Sequence, residues 1–207
     1  MNDSTPPQCI AFEGMRCIAL GELTHVVPLA KLVIDKGATD AVLLFDADSS
    51  ARIDVDFQGT LDQVMTRLSR STRAVSPSVP AAAADATAPR GPGRPKLGVV
   101  AREVTLLPRH WDWLNRQPGG ASVALRKLVE EARRVNSGKD RVRESQEAAY
   151  RFMSPMAGHL PGFEEATRAL FAGDASRFEP LTADWPVDVR EHTNRLAATA
   201  LAPLPTL

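Results

Sequence analysis

The chain has 207 residues, 25 Lys+Arg against 25 Asp+Glu, 43% apolar and 24% charged side chains, as expected of one or two soluble globular domains. It has no run of about 18 apolar residues, which excludes a membrane-spanning helix. The opening MNDSTPPQ has no basic start or apolar stretch, so no secretory signal is expected. The cytoplasm is the expected compartment, where two cysteines stay as thiols.

The first block reads as α/β. Gln8–Phe12 and Arg16–Leu20 are short apolar runs around Glu13-Gly14-Met15, a hairpin signal. Leu23, Val27, Ala30 and Ile34 stand at helical spacing, with Gly37 as a stop and Pro28 either in the first turn or at a kink. Ala41–Phe45 fits a buried strand. Ile53, Val55 and Phe57 alternate with Asp54 and Asp56 as a fourth strand. Thr60-Leu-Asp-Gln63 is a capping box that predicts a helix from Leu61 to about Arg70.

Residues 71–98 contain seven alanines, five prolines and no aromatic. Such a stretch buries too little apolar area to offset its ordering entropy, so it is expected as a flexible linker. Val99–Leu107 is β-prone. Pro108 suits a first helical turn, and Arg109–Gln117 places Trp111 and Leu114 on one face. Of Trp111 and Trp113, on alternate sides of that helix, one is expected in a core or dimer interface. Pro118-Gly119-Gly120 ends the helix, and Ser122 is the expected N-cap of the next. Leu125, Leu128, Val129 and Ala132 form its apolar stripe, opposite Arg126, Lys127, Arg133 and Arg134. The last third reads as helices only: Ala149, Phe152, Met153 and Met156; Phe163, Ala166 and Leu170 up to Gly173; a short helix capped by Asp174; and Val189, Thr193 and Leu196 after Pro186. The expected class is α+β: an α/β domain over 1–70, a linker over 71–98, a strand-helix-helix segment over 99–136 and a helical region over 137–201.

The neutral total hides a segregation of charge. Residues 1–73 carry seven basic and ten acidic side chains, a net of −3; residues 149–207 carry five and seven, a net of −2. Residues 88–143 carry thirteen basic and five acidic, a net of +8. Such asymmetry points to a nucleic-acid or acidic-surface contact made by one segment.

The order strand, short helix, glycine turn, longer helix resembles the ribbon-helix-helix class of bacterial DNA-binding proteins. The matching residues are Arg102-Glu-Val-Thr-Leu-Leu-Pro108, His110-Trp-Asp-Trp-Leu114, Gly119-Gly120 and Ser122–Ala132. The resemblance implies an obligate dimer whose paired strands enter the major groove, with the second helix offering N–H groups to phosphate. Arg102 and Thr105 would be the polar ribbon residues, and their opposite parity lets a regular strand present only one of them on a face. The same order also fits a strand and helical hairpin packed within a larger domain. Just before it, Arg90-Gly-Pro-Gly-Arg-Pro-Lys96 resembles an AT-hook, which would place Arg94 in a narrow A·T minor groove. Pro92 stands where that motif has a second arginine.

A wider resemblance is to a family of bacterial proteins of unknown function. It is carried by Ile10-Ala-Phe-x-Gly-x-Arg16, Leu107–Leu114 with Gly119–Ser122, Met156-Ala-Gly-x-Leu-Pro-Gly-Phe163 and Trp185-Pro-x-Asp-Val-Arg190.

Enzyme signals are weak. His25, His110, His159 and His192 have no Cys or Glu at metal-ligand spacing, and phosphate-loop, dinucleotide and nucleophile-elbow motifs are missing. Asp46, Asp48, Asp54 and Asp56 could serve as acids or metal ligands, but solvation explains them. Cys9 and Cys17, on two arms of one hairpin, are expected as buried thiols. No catalytic residue, metal or cofactor is expected. The expected function is a dimeric DNA-binding regulator or nucleoid-associated factor using Arg90, Arg94, Lys96, Arg102, Thr105, Arg109, Ser122, Arg126 and Lys127. The alternative is a protein-interaction adaptor whose basic segment is incidental.

Overall fold

The hairpin signal at Glu13-Gly14-Met15 is realised as β1 (Gln8–Glu13) pairing antiparallel with β2 (Arg16–Glu22). Gly14 has φ 54°, a conformation glycine adopts without strain, and its N–H donates to Ala41 O at 3.0 Å. The computed structural model describes residues 8–75 and 102–202, with no account of side chains 71–75. The expected linker from 76 on, the hook-like string with Arg90, Arg94 and Lys96, and the start of the expected 99–107 strand lie outside the described residues.

In the β1–β2 register Ala11 faces Ala19 while Phe12 faces Cys17, so Ile18 is the extra residue of a bulge. Helix α1 (Leu23–Asp35) follows. Its buried face is Val26, Val27, Ala30 and Lys31, one step round from the expected stripe. Pro28 lies inside the helix beyond its first turn. β3 (Val42–Asp46) then pairs antiparallel with the free side of β1, giving the order β2-β1-β3.

The expected fourth strand is a correction. Arg52, just before it, makes an isolated bridge with Phe45, and Ile53–Phe57 adds one bond, from Ile53 N–H to Leu44 O at 2.9 Å. Beyond that point the backbone carbonyls are taken by a side chain: the Arg67 guanidinium donates to Asp56 O at 2.8 Å and to Gln58 O. Arg67 lies on α2 (Leu61–Val75), whose N-terminus is the predicted capping box. Thr60 N–H donates to Gln63 Oε1 at 3.0 Å, and Gln63 N–H to Thr60 Oγ1 at 3.4 Å.

The remaining helices are α3 (Pro108–Asn115), α4 (Gly120–Ala157), α5 (Phe163–Ala172), α6 (Ala175–Thr182) and α7 (Val187–Ala197). The helix expected after Ser122 and the one expected from about Arg141 are a single helix of 38 residues. Gly138 costs about 1 kcal/mol against alanine in a helix interior. Ion pairs at helical spacing offset it, each worth about 0.2–0.5 kcal/mol: Arg133–Glu130, Arg134–Glu131, Arg143–Asp140 and Arg143–Glu147.

The chain forms two compact units, Met1–Val75 with Gly138–Leu207, and Ser76–Ser137. The N-terminal block and the C-terminal helices, expected as separate regions over 1–70 and 137–201, share one core in the first unit. β1 is the wall between its two apolar clusters. Ile10 and Phe12 face Phe152, Met153, Met156, Leu170, Phe178 and Val189. Cys9 and Ala11 face Val26, Val27, Ala30 and Val64. The period-2 alternation of a strand thus serves two cores at once. Phe152 packs on Phe12 and Phe45 with ring centroids 5.3 and 5.4 Å apart.

Candidate nucleic-acid interface

The segment 102–137 is built around two chain-direction changes. Leu107 precedes Pro108 and is extended (φ −65°, ψ 150°), as the proline ring requires. Pro108 then opens α3 at a position where its missing N–H costs nothing. Gly119 and Gly120 have φ 86° and 74°, turning the chain from α3 into α4. A Cβ on Gly119 would meet Val123 at 3.1 Å.

This geometry corrects the role of Ser122. The two glycines start α4 at Gly120, so Ser122 lies in its first turn instead of capping it. Its Oγ accepts from Arg126 Nη2 and its carbonyl from Arg126 Nε, both at 3.1 Å. The described part of the expected strand, residues 102–107, has no strand pairing among the described residues. A two-stranded ribbon would take its hydrogen bonds from a second strand.

Arg102, Thr105, Arg109, Ser122, Arg126 and Lys127 are all exposed. Arg133 and Arg134 are held by Glu130 and Glu131 on their own helix, at 3.1 and 2.8 Å. Arg102, Arg109, Arg126 and Lys127 form no ion pair among the described residues. At 100° per residue, Arg126, Lys127, Arg133 and Arg134 occupy one arc of α4 and Leu125, Leu128, Val129, Ala132 and Val135 the other. The apolar arc is uncovered: Leu128 is 49%, Val129 54% and Val135 64% exposed. Trp113 and Leu128 flank one shallow groove of about 190 Å³, with Lys127 at its edge. Within this unit only Leu114 and Ala124 are buried among the described residues. Sequence spacing marks the stripe as apolar, but it does not say that the chain leaves it bare.

Other chemistry-bearing residues prove structural. Asp46 Oδ1 accepts from Ser49 N at 2.8 Å, Ser49 Oγ at 2.7 Å and Asp48 N at 3.2 Å. Burial pushes its carboxyl up, but these bonds together leave it below the usual carboxylate range. Cys9 and Cys17 are both free, Cys9 in one core cluster and Cys17 against the other. Burial, with the Asp46 charge second, pushes the Cys9 thiol up to about 11. Burial and then Asp188 also raise Cys17. His192 is buried against Phe152, 4.4 Å between ring centroids, and its Nδ1 lies 3.0 Å from Arg195 Nη2. Burial, then the Arg195 charge, brings it down to about 4. Among the described residues no three His, Cys, Asp or Glu side chains come together as a metal site, and no helix is long and apolar enough to cross a membrane.

The profile of DUF2239, a family described as an uncharacterized protein conserved in bacteria, matches residues 8–197. The chain belongs to this family. No curated protein and no solved structure matches it. The residues that carry the family resemblance act in the fold. Gly14 makes the β1–β2 turn, Phe12 lies in the main core, and Gly162 has φ 79° before α5. Trp185 Nε1 donates to Pro161 O at 3.1 Å, joining the two closing motifs. Arg190 donates to Ala183 O.

Proposed function

We propose that this DUF2239 protein is a dimeric DNA-binding protein, a regulator or nucleoid-associated factor, whose contact segment is 102–137. One observation carries the reading: α4 bears a bare apolar arc of Leu128, Val129 and Val135 on one side and Arg126, Lys127, Arg133 and Arg134 on the other. A bare arc favours a partner surface, since soluble chains seldom leave a contiguous apolar patch uncovered. A second copy of the same segment would cover it and would supply the strand that residues 102–107 lack. Arg102, Arg109, Arg126 and Lys127, which form no ion pair among the described residues, would then approach phosphate, with Thr105 on the opposite face of the ribbon from Arg102. Arg90, Arg94 and Lys96 extend the basic charge toward the N-terminal side of the segment.

The acidic flanks, −3 and −2, hold overall affinity to a modest level. Titration of the full chain on duplex DNA between roughly 50 and 200 mM salt tests the reading. Binding that weakens steeply with salt supports it. No binding at the low-salt end removes it and leaves the apolar arc to a protein partner, as in an adaptor.

A further inference from the structure

We propose that the cleft between the 46–50 turn, α4 and α7 binds a small phosphorylated polyol, a phosphate ester on a hydroxylated carbon frame. The cleft measures about 570 Å³, within the range of small-molecule sites. It is lined by Arg141 and Arg151 from α4 and Arg195 from α7, together with Asp48, Glu144 and Glu147. All lie in the unit formed by Met1–Val75 and Gly138–Leu207.

The guanidiniums form no direct ion pair with their neighbours among the described residues. Three carboxylates line the same cleft, yet among the described residues none pairs with Arg141, Arg151 or Arg195; Glu147 instead reaches Arg143 at 3.8 Å. Two of the cations are fixed in place by main-chain oxygens. Arg151 Nη1 donates to Ser49 O, and Arg195 Nη2 to Ala47 O at 3.0 Å. Each fork has five N–H donors, so both keep donors for a ligand. Pre-positioned planar forks suit the oxygens of a phosphate monoester, which accept paired N–H bonds.

The carboxylates define the rest of the ligand. A bare anion would meet Asp48 and Glu144 as like charges. A hydroxylated frame offers them O–H donors and avoids that repulsion. Among the described residues no aromatic ring lines the cleft, so nothing there would stack a nucleobase. The complement is a sugar-phosphate type of molecule.

Calorimetric titration of the full chain with glucose 6-phosphate, glucose and inorganic phosphate tests this. Glucose 6-phosphate is expected to bind at least about tenfold tighter than either fragment. Arg141→Gln removes a cation with no structural bond among the described residues and should weaken glucose 6-phosphate by roughly ten- to a hundred-fold, with an unchanged thermal midpoint. Glu144→Gln should weaken glucose 6-phosphate and, by removing a like charge, tighten inorganic phosphate. Lys127→Gln, on the other unit, should change nothing. Absence of glucose 6-phosphate binding, equal affinity for phosphate alone, or insensitivity to Arg141→Gln would each overturn the proposal. So would loss of binding in Lys127→Gln, which would place the phosphate on the basic helix.

Discussion

Asp188 Oδ2, in the first turn of α7, accepts the backbone N–H of Cys17 on β2 at 2.8 Å, across 171 residues of sequence. Cys17 lies beside the bulged Ile18, where the ladder is interrupted. A bulge leaves backbone groups in search of partners, and a carboxylate is a strong one. The bond ties the outer strand of the sheet to the last helix. Asp188→Ala leaves a half-buried N–H unsatisfied and should destabilise the chain by about 1–3 kcal/mol. Asp188→Asn keeps an acceptor and should lose less. Denaturant unfolding checks both, and equal midpoints for Ala and wild type would show the bond to be dispensable.

His192 sets an acid limit on stability. Its folded value of about 4 lies below the ordinary 6.5. The unfolded chain therefore takes up a proton that the folded chain refuses. The contribution is fully present above pH 6.5 and is lost as pH falls from there through about 4. Unfolding midpoints measured at pH 7, 5.5 and 4 should fall in wild type, and fall less in His192→Gln. The same slope in both proteins would assign the acid loss to other groups.

Phe152 joins the sheet to the helices through Phe12, Phe45 and His192. Phe152→Ala should cost about 3–5 kcal/mol, the usual range for a fully buried aromatic. Chemical denaturation gives the number directly; a loss below about 1 kcal/mol would mean that the cluster closes over the gap.

The bare arc of α4 makes a separate prediction. Val129→Glu adds a charge to a position already 54% exposed in the single chain, so it should leave the fold of that chain intact. It should dissociate a dimer held by this face, seen as a fall in sedimentation coefficient and in DNA affinity together. A variant that sediments like wild type would acquit the face of dimer formation.

Charge removal should be additive on DNA. Arg126→Ala and Lys127→Ala should each lower the slope of log affinity against log salt by about 0.9 if each side chain meets one phosphate. Arg94→Ala should weaken binding to A·T-rich duplex more than to G·C-rich duplex. Equal loss on both duplexes would reduce the Gly93-Arg94-Pro95 string to general electrostatics.

Local signals in the sequence translate well into local structure. The Thr60/Gln63 box, the Gly14 turn, Asp174 as a cap for α6 and the Phe163–Leu170 stripe all form as their spacing predicts. Relationships between distant segments do not show in spacing. Nothing in Arg67 announces that it will take the carbonyls of Asp56 and Gln58 and cut short a fourth strand. Nothing in Gly138 says that the helix continues, since the compensating ion pairs add up only along the whole of α4. Of the expected site residues, Arg102, Thr105, Arg109, Arg126 and Lys127 are exposed, while Ser122 loses its capping role. The cleft arginines escaped notice because Arg141, Arg151 and Arg195 sit on two helices and converge only in three dimensions.

The position of β1 has a consequence for biosynthesis. The strand belongs to the first residues of the matched family region, yet one of its faces is covered by side chains from residues 148–200. During translation Ile10, Phe12 and Phe45 lack their helical partners on that side until residues 148–200 have been made. Contacts this far apart in sequence are slow to form and leave apolar surface open to misassembly. Truncations that remove α5, α6 and α7 should therefore aggregate, because β1 is made long before the residues that cover it.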